Sequence, residues 1–338
     1  MGRMERIITL MLSFWLTFAA SNVQGQGVQC DPAKVMSAEA CAKCHSNEIA
    51  VWKKTPHFRT YEELSRRPKA KEICNKMGLR SVKRSEVCIQ CHFTQKEKNG
   101  KVRAVSGISC ESCHGASKDW LTTHNDYGGP TATRQSETPA HKSARLEQCE
   151  ALGMRNTRDF YSIASSCFKC HTVPNEELVN VGGHQAGTED FELVSWSQGM
   201  IRHNFLRGDN KKNVESTQEK LRLMFIVGLI ADLEYSVRAT AKATRKSTFG
   251  LTVAKRAAEK AVKLYDLQQE LSHPDIEEVL KMFAPAQLRI NNSTQLEEIA
   301  DQIQAVGKRF AKQNDGSNLV AVDPYLPAKE NYKWKASR

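Results

Sequence analysis

Two things are scarce in this chain. Aromatic side chains make up only 7% of its 338 residues, so side chains alone supply little of the apolar volume that a globular core needs. Apolar runs long enough to cross a bilayer are missing as well. Residues 7–20 form a run of 14, and residues 223–231 one of nine closed by Arg222 and Asp232, against the ~20 a spanning helix requires. The short run near the start follows a basic stretch, residues 1–6, and precedes Val23-Gln24-Gly25, which has the form of a cleavage site. This is the pattern of a secretory signal peptide over residues 1–25, removed after export. A periplasmic or otherwise extracytoplasmic location is expected. Gln29 before Cys30 argues against lipoprotein processing.

Cysteine is plentiful, with 11 in the chain, and most of it is patterned. Cys41-Ala42-Lys43-Cys44-His45, Cys88-Ile89-Gln90-Cys91-His92, Cys110-Glu111-Ser112-Cys113-His114 and Cys167-Phe168-Lys169-Cys170-His171 repeat one signature. Two thiols three residues apart lie about one helical turn from each other, which suits the separation of two porphyrin vinyl groups, and the adjoining histidine then falls beneath the ring centre. A lone Cys-x-x-Cys would also suit a zinc half-site or a redox dithiol. Four copies, each with histidine directly after the second cysteine, point instead to four c-type haems attached through Cys41, Cys44, Cys88, Cys91, Cys110, Cys113, Cys167 and Cys170. His45, His92, His114 and His171 are then the proximal iron ligands. Covalent haem attachment and the export signal agree, since both belong outside the cytoplasm. Haem would also supply the apolar volume that aromatics do not.

Cys30, Cys74 and Cys149 remain, an odd number of which two could pair in an oxidising compartment. The formal net charge of +11 would raise nucleic acid or an anionic membrane as partners. In a haem protein that charge is expected to face propionates and an acidic redox partner, and no nucleic-acid role is expected.

Taken in order, residues 41–65 read as helix interrupted near Pro56, and residues 69–84 as a basic helix or loop. Asn99-Gly100 between partly β-branched flanks marks a short hairpin over residues 93–106, which brings the second and third motifs close together. Gly107 and Gly115 bracket the third motif, where a missing side chain would let backbone approach a porphyrin. Residues 140–152 and 191–206 read as helices, the latter carrying Trp196 and His203. The polar stretch from Gly208 to Lys212 is the expected boundary. Beyond it Leu223, Ile226, Ile230, Leu233 and Val237 step by three and four, as do Leu296, Ile299, Ile303, Val306 and Phe310, with Ala254, Ala257, Ala261 and Leu264 between them. Thr294 and Glu297 have capping-box spacing, and Ser272 with Pro274 marks the start of a shorter helix. The expected class is mainly α. A multihaem c-type cytochrome domain with little regular core, residues 26–208, would be followed by an antiparallel helical bundle, residues 213–314, and an irregular basic tail, residues 315–338.

With the motifs and their flanks placed, the stretch from about Cys41 to Leu206 resembles the tetrahaem cytochrome c-554 family. The matching segments are the first motif with Trp52-Lys53-Lys54-Thr55-Pro56-His57, the stretch from Gly107 to Gly115 with the later His124, and the fourth motif. The resemblance implies single-electron transfer and names distal iron ligands: His57 opposite haem 3, His124 opposite haem 4 and His203 opposite haem 1. Haem 2 is five-coordinate in that family. His141 and His184 are spare here and either could close it, while His273 sits at a helix start. The C-terminal helices have no counterpart in the small family members.

The expected function is a periplasmic electron carrier between a donor and an acceptor redox protein, rather than an enzyme. The alternatives are a subunit of a larger redox complex, or a homo-oligomer, joined through the C-terminal helices, and an oxidoreductase acting on a small nitrogen or sulfur compound at an open haem 2.

Overall fold

The computed structural model of the chain describes residues 30–333. The expected signal peptide and the last residues of the expected tail lie outside them. The first half is a string of short helices: α1 (Ala38–Ala42), α2 (Ser46–Trp52), α3 (Pro56–Glu63), α4 (Pro68–Lys76) and α5 (Glu86–His92). The hairpin β1 (Thr94–Lys98) and β2 (Lys101–Ser106) and helix α6 (Cys110–His114) follow. After a long irregular stretch come α7 (Pro139–Ala151), α8 (Phe160–His171), α9 (Glu176–Asn180) and α10 (Leu193–Gln198). The second half consists of α11 (Gln218–Ala241), α12 (Thr248–Leu271), α13 (Pro274–Phe283) and α14 (Ser293–Gln313). The molecule is mainly helical with a packed C-terminal set of helices, as its sequence leads one to expect.

Local chemistry explains most of the boundaries. Pro56 opens α3 instead of breaking it, because a proline at the first helical position gives up a donor that would have no partner there, and the Thr55 hydroxyl accepts from the Phe58 amide. The hairpin turns on Asn99 and Gly100, both with positive φ (54° and 68°), the backbone of a two-residue turn matched to strand twist. Thr94 pairs with Ser106 and Lys98 with Lys101, antiparallel. The helix expected over residues 191–206 is confined to α10, and His203 lies in irregular chain beyond it.

The C-terminal half departs from its expected pattern in one instructive way. Helix α11 is buried on nearly every side: besides the expected stripe, Met224, Val227, Ala231, Asp232 and Glu234 are all buried. It is the central helix, lying against α8, α10, α12 and α14, and a helix enclosed all round needs no single apolar face. The core is therefore continuous across the expected boundary at Gly208. Tyr161, Phe168, Phe191, Leu193 and Val194 from the first half share it with Ile226, Ile230, Leu264, Ile303 and Phe310. A smaller cluster of Ala70, Cys74, Val82, Cys88, Ile89 and Phe93 sits between α4 and α5.

Two caps differ from expectation. Helix α14 begins after Asn292, and Glu297 is engaged by Arg238 at 2.9 Å instead of closing a box with Thr294. Ser272 ends α12 in a left-handed conformation, and the His273 ring accepts from the Asp275 amide to start α13. The tail is less irregular than expected and is packed: 3-10 turns run over Val320–Tyr325 and Lys329–Asn331, Leu319 and Val322 are buried, and Asp323 accepts from Nε and Nη2 of Arg222 at 2.7 Å each. Among the described residues no helix is long and apolar enough to cross a membrane.

Candidate functional site

The four motifs are displayed by helix ends. Helices α5, α6 and α8 each finish on the motif histidine, and the first motif spans the end of α1 and the turn into α2. In α6 the fit is tightest. Ser109 and Ser112 form a capping box, and the buried Glu111 carboxylate accepts from the amides of Met36, Ser37 and Ser117. Arg155 donates to the carbonyls of Cys113 and Ser112 at the helix end, where a cation complements the unpaired acceptors. Gly107 has no room for a side chain, because a Cβ there would run into the His57 carbonyl. Its small size serves backbone packing onto α3.

Each motif histidine faces one of the other histidines. Ring centres are 6.4 Å apart for His45 and His124, 6.3 Å for His92 and His184, 6.1 Å for His114 and His203, and 6.4 Å for His171 and His57. The interplanar angles run from 25° for the first pair to 87° for the third. These separations lie at the wide end of the range for paired rings and suit a metal ion between them. An iron bonded at about 2 Å to one nitrogen of each ring, with each nitrogen roughly 1.1 Å from its ring centre, sets the centres about 6.2 Å apart. The residues present therefore fit haem iron held from both sides.

The pairing differs from the one the resemblance implies. His57 lies opposite the fourth motif and not the third, His124 opposite the first and not the fourth, and His203 opposite the third and not the first. His184 stands opposite the second motif. His141 joins no pair: its Nδ1 is 2.8 Å from a Glu137 carboxylate oxygen, which also binds Arg145. His273 packs on Phe310.

Hydrogen bonds set which ring nitrogen is available. Nδ1 of His114 donates to the Arg155 carbonyl at 3.0 Å, that of His184 to the Gln185 carbonyl at 2.8 Å, and that of His203 to the Ile201 carbonyl at 2.7 Å. His124 donates to Leu121 in the same way, and His171 Nδ1 meets the Thr188 hydroxyl at 3.1 Å. In the four that meet a carbonyl, which can only accept, the proton is fixed on Nδ1, leaving the Nε2 lone pair for a metal. Desolvation, reinforced by neighbouring histidines, pushes the pKa of His92 and of His114 down to about 4 and that of His171 to about 3. A neutral imidazole is the ligating form. His45 is pulled the other way by Glu48, whose carboxylate lies 3.7 Å off.

Thiols of different motifs lie close enough to interact: Cys41 with Cys110, Cys91 with Cys170, and Cys113 with Cys167. The remaining cysteines, Cys30, Cys74 and Cys149, are unpaired thiols. Around the fourth motif, Phe191 stacks on His171 with centres 4.2 Å apart, and Trp196 stands edge-on at 5.3 Å. Thr188, which supports the same ring, has no local sequence signal to find it by.

Comparison with known proteins agrees with this chemistry. Residues 40–115 match the family described as cytochrome c554 and c-prime. A curated relative, cytochrome c-554 of Nitrosomonas europaea, is 27% identical over 173 residues, covering 48% of this chain and 68% of the relative. No solved structure matches the chain significantly. The match implies c-type haem as the cofactor, and residues 40–115 constitute a cytochrome c554 and c-prime family domain.

Proposed function

We propose that the chain is a tetrahaem electron carrier working outside the cytoplasm, with every iron closed by two imidazoles. The observation that carries this reading is the set of four histidine pairs. Each holds one motif histidine and one remote histidine at 6.1–6.4 Å between ring centres. His45 with His124, His92 with His184, His114 with His203 and His171 with His57 are the axial ligands, and the eight motif cysteines are the tethers. Bound there, haem supplies a one-electron couple. The protein's part is to hold both imidazoles aimed at the iron, which leaves no free coordination position and favours electron transfer over small-molecule chemistry. His184 opposite His92 counts against the oxidoreductase alternative.

The thiol contacts support an order of neighbours in which the first site adjoins the third, the third the fourth, and the fourth the second. The second site lies at one end of that order, beside a basic surface. Arg66, Arg67, Lys69, Lys71, Lys76 and Arg80 on and around α4 are exposed. A side chain at Gly183, next to His184, would meet Lys76 Nζ at 3.5 Å and Lys69 Nζ at 3.6 Å. A negatively charged redox protein is the partner class that fits this end.

Intact mass of the mature holoprotein tests the reading. Four covalent haem additions are expected, and a native protein loaded with zinc and free of haem would end it.

A further inference from the structure

The C-terminal helices reach the fourth site through one buried ion pair. Asp232 of α11 and Arg256 of α12 are 2% and 7% exposed. Arg256 Nε donates to Asp232 Oδ1 at 2.6 Å and Nη2 to Oδ2 at 2.9 Å, a two-point geometry that fixes the guanidinium plane. Lys260, one turn further along α12, places its ammonium 3.1 Å from Oδ2, and the Ser236 hydroxyl donates to Oδ1. The free corner of the guanidinium, Nη1, donates to the Thr188 carbonyl at 2.7 Å.

Thr188 is bound to the histidine of the fourth motif twice. Its amide donates to the His171 carbonyl at 2.8 Å, and its hydroxyl meets His171 Nδ1 at 3.1 Å. Gly187 lets the chain pass between the two parts. It has φ +88°, and a Cβ there would lie 3.2 Å from the His171 carbonyl and 3.4 Å from Arg256 Nη1. The path Asp232, Arg256, Thr188, His171 is thus continuous, and it starts on helices that lie outside residues 40–115.

We propose that Arg256 is a positioning residue for the fourth site, where it locks the loop that orients the His171 ring and holds its positive charge beside that ring. The inference rests on the reading of His171 as an iron ligand. Arg256 and Asp232 lie in a buried setting where charge is weakly screened, and Lys260 is shared between Asp232 and a second carboxylate, Glu192. Positive charge held there favours the form of the site that has gained an electron, and negative charge the form that has lost it. Groups that hydrogen-bond to a ligating imidazole or bring charge close to it are recognised levers on a metal's potential. The C-terminal helices then do more than cover α8: they set the potential of the site at its end.

The test uses the full-length holoprotein. Haem per chain is counted first, and the midpoint potentials are then read by optical redox titration. Arg256→Gln removes a cation and should lower one of the four midpoints. Asp232→Asn removes the anion and should raise that same midpoint, while Arg256→Lys, which keeps the charge, should leave it close to native. A role limited to holding the fold would move both charge variants the same way or move neither, and either result overturns the proposal. Should Arg256→Gln fail to fold, Asp232→Asn decides alone, and an unchanged or lowered midpoint overturns it. Failure of the underlying reading looks different: His171→Ala would then keep four low-spin haems.

Discussion

At the scale of single residues, the motif histidines and their thiols are legible from spacing alone, because the constraint on them is local. Their partners are not. His57, His124, His184 and His203 stand in segments whose sequences carry no mark of the ring each one faces, and only packing brings them there. The clearest consequence is at the second site. His184→Ala should convert one low-spin haem to high-spin and let the reduced protein bind carbon monoxide at one site per chain, whereas His141→Ala should do neither, as seen by optical spectroscopy. His141 belongs to a different network. Glu137 holds Arg145 through two hydrogen bonds of 2.6 Å, and Arg145 in turn reaches the His124 carbonyl. Arg145, with His141, depresses the Glu137 pKa to about 2. A depressed carboxyl contributes stability above its unfolded value and loses it as pH falls through the folded one. Glu137→Gln should therefore cost about 1 kcal/mol at neutral pH, a difference that shrinks below about pH 4.3 and vanishes near pH 2 in denaturant titrations.

At the scale of elements, the hairpin shows what a sequence can specify: Asn99-Gly100 and its flanks suffice, since turn and strands are contiguous. Helix α11 shows the opposite. Its stripe of Leu223, Ile226, Ile230, Leu233 and Val237 suggests a helix with one buried face, yet its charged residues are buried too. Asp232 is matched by Arg256 and Lys260, and Glu234 by Arg238, Tyr161 and Gln304. All of these partners except Arg238, one turn along α11, lie on other helices, so no window of sequence displays the full set. Burial raises the Glu234 pKa, and the carboxylate depends on its donors. Tyr161→Phe should destabilise the chain by about 1 kcal/mol in thermal or denaturant unfolding, the loss of one buried hydrogen bond. A chain ending at Gly208 should fare much worse. Tyr161, Phe168, Phe191, Leu193 and Val194 would lose their cover, at roughly 2 kcal/mol each, and α8 carries the fourth motif. Circular dichroism of that truncation should show loss of cooperative melting; a stable, separately folded cytochrome unit would contradict the continuous core.

At the scale of the whole molecule, the shortage of aromatics, the basic charge and the four motifs combine into one arrangement. Short helices with little core of their own present cysteines and histidines, and the C-terminal helices brace the end of α8. The exposed cations around α4 border the loop that carries His184. Reduction by a small acidic redox protein should slow as ionic strength rises, and Lys69→Glu with Lys76→Glu should slow it at low salt, read by stopped-flow absorbance. The central claim is that each motif histidine shares an iron with one remote histidine. Near-infrared magnetic circular dichroism of the oxidised chain tests it most directly, because the band of low-spin ferric haem reports the pair of axial ligands and its intensity counts them. Four bis-histidine haems per chain and no high-spin band is the result the four ring pairs predict; a high-spin fraction near one haem in four, or a second class of low-spin ligation, would contradict it.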